Sequence, residues 1–419
     1  MTATTGVLSR RGRAVRERPE RLRVVAQGER VRAHAVRGAP SRDAMALAGL
    51  VAAFCVFGLV MVLSSSSISS IATYGSPWSI VERQGLWSVF GGVAFVATAR
   101  MSLQFWRRVA VPFIVATGVL LLAVLVRGVG SVAGGSARWI GFGMFRAQPS
   151  EIAKLAVVVF IADLIARRSK GSAEPVDVVR PVVIVLVALA ILIVRQPDLG
   201  TAAVVITVGG VLLYAGGVPI KKVATLGAIF AVLGAAFLMI EPYGRARITG
   251  FINPFAHSTT SGYQVVQSLV TLGSGHLLGT GLGGSPSAWG FLPNASTDFI
   301  YSIIGNNFGL VGSLGVLAGF ALLGWLGVRI ASRSTDRFAR LAAIGITTWI
   351  VVQAFINIGG VVGIVPETGI PLPFLSSGGS SLVVFLAAMG ILVRIARHPD
   401  EKTRSAVEHD RIRRRAAAR

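Results

Sequence analysis

The sequence predicts an all-α polytopic membrane protein with about ten transmembrane helices, both tails cytoplasmic and one long extracytoplasmic loop. Three observations carry this. Of the 419 residues, 53% are hydrophobic and only 14% charged, against roughly 25% charged in soluble domains. The mean hydropathy is +0.70, and a soluble chain so apolar would expose large aggregating patches. Lys and Arg also gather in alternate connections: with both tails inside and an even number of spans, 33 of the 41 fall on the inner side, which fixes orientation by the positive-inside rule.

The elements follow in order. Residues 1–43 form a polar tail with eleven Arg and no Lys, a composition that reads as disordered and cytoplasmic. It does not read as a signal peptide, whose apolar core follows a short charged start. Apolar runs near the ~20 residues needed to cross a bilayer fall at 44–63, 80–98, 109–126, 150–166, 181–194, 201–217, 223–240, 299–328, 341–363 and 379–396. The eighth is long enough to include an interfacial turn. Residues 44–397 thus make one membrane domain, and 398–419 a second basic cytoplasmic tail ending in Arg411, Arg413, Arg414, Arg415 and Arg419. The tails suit orientation and attraction to anionic lipid, or docking of a partner.

Two stretches break the helical pattern. Residues 241–297 form an outer loop of 57 residues, a length that usually signals function or disorder. It carries Arg245, Arg247, His257, His276 and Trp289, and its run Tyr263–Val270 has helical spacing and is expected to fold back on the membrane surface. Pro366–Ser381 holds three Pro and three Gly, which prevent regular helix; at membrane depth such backbone needs protein or a wet cavity around it.

Several function classes drop out. The net charge of +23 does not point to nucleic acid, because the basic residues sit in short clusters between apolar runs rather than over a soluble face. A lone Cys55 excludes structural disulfides. The five His are scattered without metal-ligand spacing. The glycine-rich Gly279–Gly284 follows no parallel strand, so it reads as a flexible loop and not a nucleotide cradle.

Chemistry is sought among outer polar groups, since an ionised side chain in a span costs roughly 2.5–3.5 kcal/mol and needs a partner or a task. The outer half holds six acids: Glu82, Glu151, Asp198, Glu241, Asp298 and Glu367. Asp298 stands before an apolar run, either as a helix cap or as a reactive carboxylate. Glu151 and Lys154 share a helix face; Ser150 can cap that helix, and the two charges form either a local pair with a snorkelling Lys154 or part of a cavity. Asp198 most simply caps the sixth span. Arg138, Arg245 and Arg247 are solvated loop residues or grips for a phosphate.

Four segments together resemble the SEDS family (FtsW, RodA and SpoVE): Arg138-Trp139-Ile140 through Gln148-Pro149-Ser150-Glu151-Ile152-Ala153-Lys154-Leu155; Gln196-Pro197-Asp198-Leu199-Gly200-Thr201; Leu292 through Gly312; and Gln353 through Ser381. Val62–Ser67, Gly75-Ser76-Pro77-Trp78 and the long tails resemble its division branch more than its elongation branch. The resemblance implies a multi-pass inner-membrane peptidoglycan glycosyltransferase that polymerises lipid II, the undecaprenyl-diphosphate-linked disaccharide-pentapeptide, on the outer leaflet. It implies Asp298 as the catalytic base and a class B penicillin-binding protein and other divisome or elongasome proteins as partners. The diphosphate leaving group needs positive charge, for which Arg138, Lys154, Arg245 and Arg247 are the candidates, with Glu151 positioning Lys154. A divalent cation, Mg or Mn, is left open, with no metal ligands assigned. Against the family's usual motifs, Asn294 and Ser296 replace a Glu and a His, Asn306 and Asn307 replace acids, and Glu367 and Ser377 stand where Thr and Tyr are common. Two other functions stay open: a lipid II flippase or other transporter, and a non-catalytic division scaffold acting through its tails.

Overall fold

The computed structural model describes residues 41–126, 128, 130–133, 136–142, 145–168, 176–283 and 291–398. Most of both expected tails, 1–40 and 399–419, lies outside the described residues, as do Trp289 and Gly284 of the long loop. The described chain is mostly helical. In order it runs α1 (Arg42–Tyr74), α2 (Ser79–Arg100), α3 (Leu103–Leu125), β1 (Gly130–Ala133), β2 (Ser136–Phe142), β3 (Phe145–Ala147), α4 (Pro149–Arg168), α5 (Val176–Val194), α6 (Leu199–Ala215), α7 (Ile220–Ile240), α8 (Pro242–Ile252), α9 (Tyr263–Gly273), α10 (Ile300–Arg333), α11 (Arg337–Val361) and α12 (Gly379–Arg397).

Each of the ten apolar runs is helical. Six of these helices, α1, α3, α7, α10, α11 and α12, are long and apolar enough to cross a membrane. Their outward faces are apolar, and α7 buries none of its residues. That is the surface expected of a protein whose solvent is lipid, where burial of apolar side chains gives no drive for helix association.

Four local departures have physical causes. First, α1 continues past the serine run at 64–67, because Ser65 and Ser66 donate to Val62 O at 3.2 and 2.6 Å; hydroxyls satisfied on the preceding turn do not end a helix. Second, the chain is not purely helical: β1, β2 and β3 form an antiparallel sheet in that order, with Gly130 opposite Ile140 and Ile140 opposite Ala147. Third, α8 occupies a segment expected as loop. Pro242 sits at its first position, where the missing N–H costs nothing and the fixed φ suits a helix start. Fourth, α10 is broken at Gly309 (φ 66°, ψ −159°), a conformation that glycine adopts without strain.

The break recruits the glycine-rich loop. Leu310 N and Val311 N donate to His276 O and Leu277 O at 3.0 and 3.3 Å, while Thr280 N and Gly281 N donate to Asn306 O and Asn307 O at 2.9 and 3.1 Å. Backbone groups freed by the break are thereby satisfied, as irregular backbone at membrane depth requires. The described part of Gly279–Gly284 is thus a clamp on α10, not the flexible loop its composition suggests.

One end of the bundle is tied by charges. Asp163 meets Arg107 at 3.1 Å and Arg167 at 2.6 Å, and Asp43 meets Arg329 at 3.2 Å and also pairs with Arg333. Ser41 Oγ donates to Ala396 O at 2.8 Å at the same end, so the two ends of the described chain lie together. The sheet and the start of α10 lie at the opposite end.

Candidate active site

At that opposite end the sheet, α8, the approach to α9, the start of α10, the end of α11 and the loop after it enclose a cavity of about 380 Å³. Arg138, Arg247, Gln264, Asn294, Asp298, Asn357, Glu367 and Gly369 are among its lining residues. They come from segments spread over more than half of the chain, so the cavity is a product of tertiary packing.

Asp298 is set by the turn ahead of α10. Asn294 takes a left-handed conformation (φ 56°), which Asn tolerates better than most residues. Its carbonyl accepts from Thr297 N, Asp298 N and Phe299 N at 3.1, 3.0 and 3.3 Å. The departure at Asn294 therefore has a backbone role. Phe299, not Asp298, occupies the N-cap of α10, and no side chain caps that end; the capping reading of Asp298 is corrected. Asn357 Nδ2 holds the Asp298 carbonyl at 2.8 Å and Ile370 O at 2.8 Å, pinning the turn and the late loop to α11.

The Asp298 side chain is half-buried in the cavity. Burial pushes its pKa up to about 6, with Arg247 and Arg138 pulling it down and Glu367 and Asp198 adding to the rise. A carboxyl so placed is ionised near neutral pH yet basic enough to take a proton. Gly369 (φ 67°) borders both groups: a Cβ built there would lie in ordinary van der Waals contact, 3.4 Å from Arg247 Nη2 and 3.7 Å from Asp298 Oδ2. Both groups thus face the same space beside this glycine.

The arginines separate. Arg247 Nη1 donates to Glu367 O at 3.1 Å, and its Nε lies 3.9 Å from Glu367 Oε1. Arg138 Nε and Nη2 donate to Gln196 O and Pro197 O at 2.7 and 2.6 Å, tying β2 to the turn before α6. Arg245 is exposed, donates to Ile240 O at 3.3 Å and does not line the cavity. It stands two residues from Arg247 on α8, so the two side chains leave the helix on different faces.

Glu151 and Lys154 are also outside the cavity. Lys154 Nζ donates to Glu151 Oε1 and Gln353 Oε1, both at 2.7 Å, and lies 5.5 Å from the Trp349 ring centroid and 5.6 Å from that of Phe385. Both charges are 1% exposed, so Lys154 does not snorkel. The network reaches the late loop through Gln353 Nε2, which donates to Pro371 O at 3.0 Å. Ser150 donates to Asp198 Oδ2 at 2.9 Å instead of capping α4. Asp198 does cap α6, accepting from Thr201 N at 3.2 Å.

Glu367, Gln264, Asn357 and Gly369 enter the cavity without having been assigned to it from sequence. An Asn within an apolar helix was the available signal for Asn357, because buried amides need partners. Among the described residues no group of three His, Cys, Asp or Glu side chains is placed to hold a metal ion. Of the two carboxylates lining the cavity, Asp298 and Glu367, Glu367 is engaged by Arg247 and Gln264.

Comparisons with known proteins agree with this architecture. The FtsW/RodA/SpoVE family model, described as cell cycle protein, matches residues 45–401. The chain is 40% identical over 375 residues to a probable peptidoglycan glycosyltransferase FtsW of Mycobacterium tuberculosis, covering 89% of this chain and 71% of the relative. It is 36% identical over 341 residues to stage V sporulation protein E of Bacillus subtilis, covering 81% and 93%. A solved structure described as "Structural coordination of polymerization and crosslinking by a peptidoglycan synthase complex" superposes with a TM-score of 0.71 at 25% identity, covering 85% of this chain and 98% of the other. The rod shape determining protein RodA of Thermus thermophilus gives 0.64 at 25% identity, covering 85% and 97%. The chain belongs to the FtsW/RodA/SpoVE family.

Proposed function

We propose that this protein is a peptidoglycan glycosyltransferase that polymerises lipid II on the outer leaflet during cell division, with Asp298 as general base. The observation that carries the reading is a carboxylate, Asp298, that caps no helix and faces a polar cavity with Arg247 beside it, at the end of the bundle opposite the basic clusters. Ten spans with both tails cytoplasmic fit the distribution of Lys and Arg and the contact of Ser41 with Ala396. That orientation turns the cavity outward.

In the reaction, the 4-hydroxyl oxygen of the acceptor sugar attacks the anomeric carbon of the donor. Asp298 takes the hydroxyl proton, the bond from that carbon to the diphosphate oxygen breaks, and undecaprenyl diphosphate leaves with the electron pair. One displacement inverts the α-linked donor to a β-1,4 bond, so one base suffices. Arg247 faces the same space and supplies positive charge to the leaving group. Arg138, with two donors on backbone carbonyls, fixes the opposite wall. A class B penicillin-binding protein is the proposed partner, cross-linking the strands made here, with other division proteins around it.

The test gives lipid II to purified protein with its partner and resolves glycan strands on a gel. Strands are expected from the wild type, and Asp298→Asn should reduce their rate by roughly 10²–10⁴-fold, the usual worth of a positioned base. Lipid movement across the bilayer without polymer would overturn the assignment in favour of transport.

A further inference from the structure

One cavity carboxylate has no part in the reaction above. Glu367 follows α11, and its side chain is 16% exposed beside an Arg247 that is 15% exposed. Its contacts reach two other elements. Its carbonyl and Oε1 lie 3.1 and 3.9 Å from Arg247 Nη1 and Nε on α8. The Gln264 amide, in the first turn of α9, donates to Oε2 at 3.0 Å and Oε1 at 3.2 Å once its nitrogen faces the carboxylate. Glu367 is therefore clamped between α8 and α9, the two helices among the described residues of the long outer loop.

The geometry divides the guanidinium into two edges. Nε and Nη1 face Glu367, while Nη2 faces the space beside Gly369 that Asp298 also faces. A long flexible side chain that must grip a phosphate loses less freedom on binding when neighbouring groups already hold it; here the Glu367 carbonyl accepts from Nη1 and its carboxylate pairs with the Nε edge at 3.9 Å. We propose that Glu367 is a positioning residue for Arg247, holding its fork so that Nη2 meets the diphosphate of the lipid-linked donor, and that it thereby sets donor affinity. This rests on the reading of the cavity as a glycosyl-transfer site.

A second consequence separates this role from mere support. Arg247, Glu367, Arg138 and Asp198 act electrostatically on Asp298, and Glu367 and Asp198 are the two that raise its proton affinity. Asp198 is held by Gln148, Ser150 and Thr201. The Glu367 carboxyl is itself raised by burial and lowered by Arg247. Replacing Glu367 by a neutral side chain removes a negative charge from the field at Asp298, so the acid limb of activity moves to lower pH.

The test uses the full chain with its partner, lipid II as substrate and undecaprenyl diphosphate as binding probe. Glu367→Ala should weaken probe binding and raise KM by about tenfold while kcat stays within about threefold, the signature of lost ground-state positioning. Glu367→Gln keeps the contact with Gln264 and should recover part of the binding, yet move the acid limb below that of the wild type. Arg247→Ala with Glu367→Ala should bind no worse than Arg247→Ala alone, because Glu367 acts through Arg247. Unchanged binding in both single Glu367 variants, additive losses in the double variant, or an unmoved limb in Glu367→Gln would overturn the proposal. A wild type that binds the probe but makes no polymer would sink the functional reading, while the binding comparisons would still decide the role of Glu367.

Discussion

Two groups of charges in this bundle are treated in opposite ways, one sealed in the apolar interior and one at a polar cavity. Glu151 and Lys154 are both 1% exposed, and Lys154 is matched by a carboxylate, an amide oxygen and two rings. Asp298 faces a cavity, and among the described residues no hydrogen bond acts on its carboxyl. The first arrangement commits its charges to each other and joins α4, α11 and the late loop. The second leaves a carboxylate available. Buried charge is thus a poor guide to chemistry by itself; what marks a reactive group is burial without a committed partner.

The largest effect should come from breaking the matched pair. Lys154→Met strands the Glu151 carboxylate and should cost about 3–5 kcal/mol of stability, the usual penalty for an uncompensated buried charge. Thermal unfolding in detergent measures it, and Lys154→Met with Glu151→Gln should recover most of the loss. If the single variant unfolds like the wild type, the contrast between the two groups is wrong.

Next in size is Arg247→Ala, which removes the positive charge that acts most strongly on Asp298. A loss of roughly 10–100-fold in kcat/KM for lipid II is expected for a charged contact to a leaving group, and Arg247→Lys should recover only part, since Lys lacks the planar fork. The smallest effect belongs to Arg245→Ala, expected within about twofold because the side chain is an exposed charge on α8. Equal losses at Arg245 and Arg247 would place the phosphate grip elsewhere.

Much of the fold was legible because apolar runs report helices directly, and each run is one. The sheet was not, because its strands are only four, seven and three residues long and carry little periodic signal. In the site, Asp298 was one of six acids in the outer half. Arg245 could not be told from Arg247 without α8, whose turn puts residues two apart on different faces. For Glu151 and Lys154 the spacing of three gave a shared face but not which volume that face enters. Glu367 and Arg247 lie 120 residues apart, so only the packing of α8 against the late loop brings them together.

The central claim is that Asp298, as an ionised carboxylate, receives the acceptor proton. The pH dependence of kcat/KM for lipid II polymerisation, followed from about pH 5 to about pH 8, tests it most directly. With its pKa pushed up to about 6, activity should be steady above that value and fall about tenfold per pH unit below it. A rate that stays level down to about pH 5 would contradict a base with this pKa.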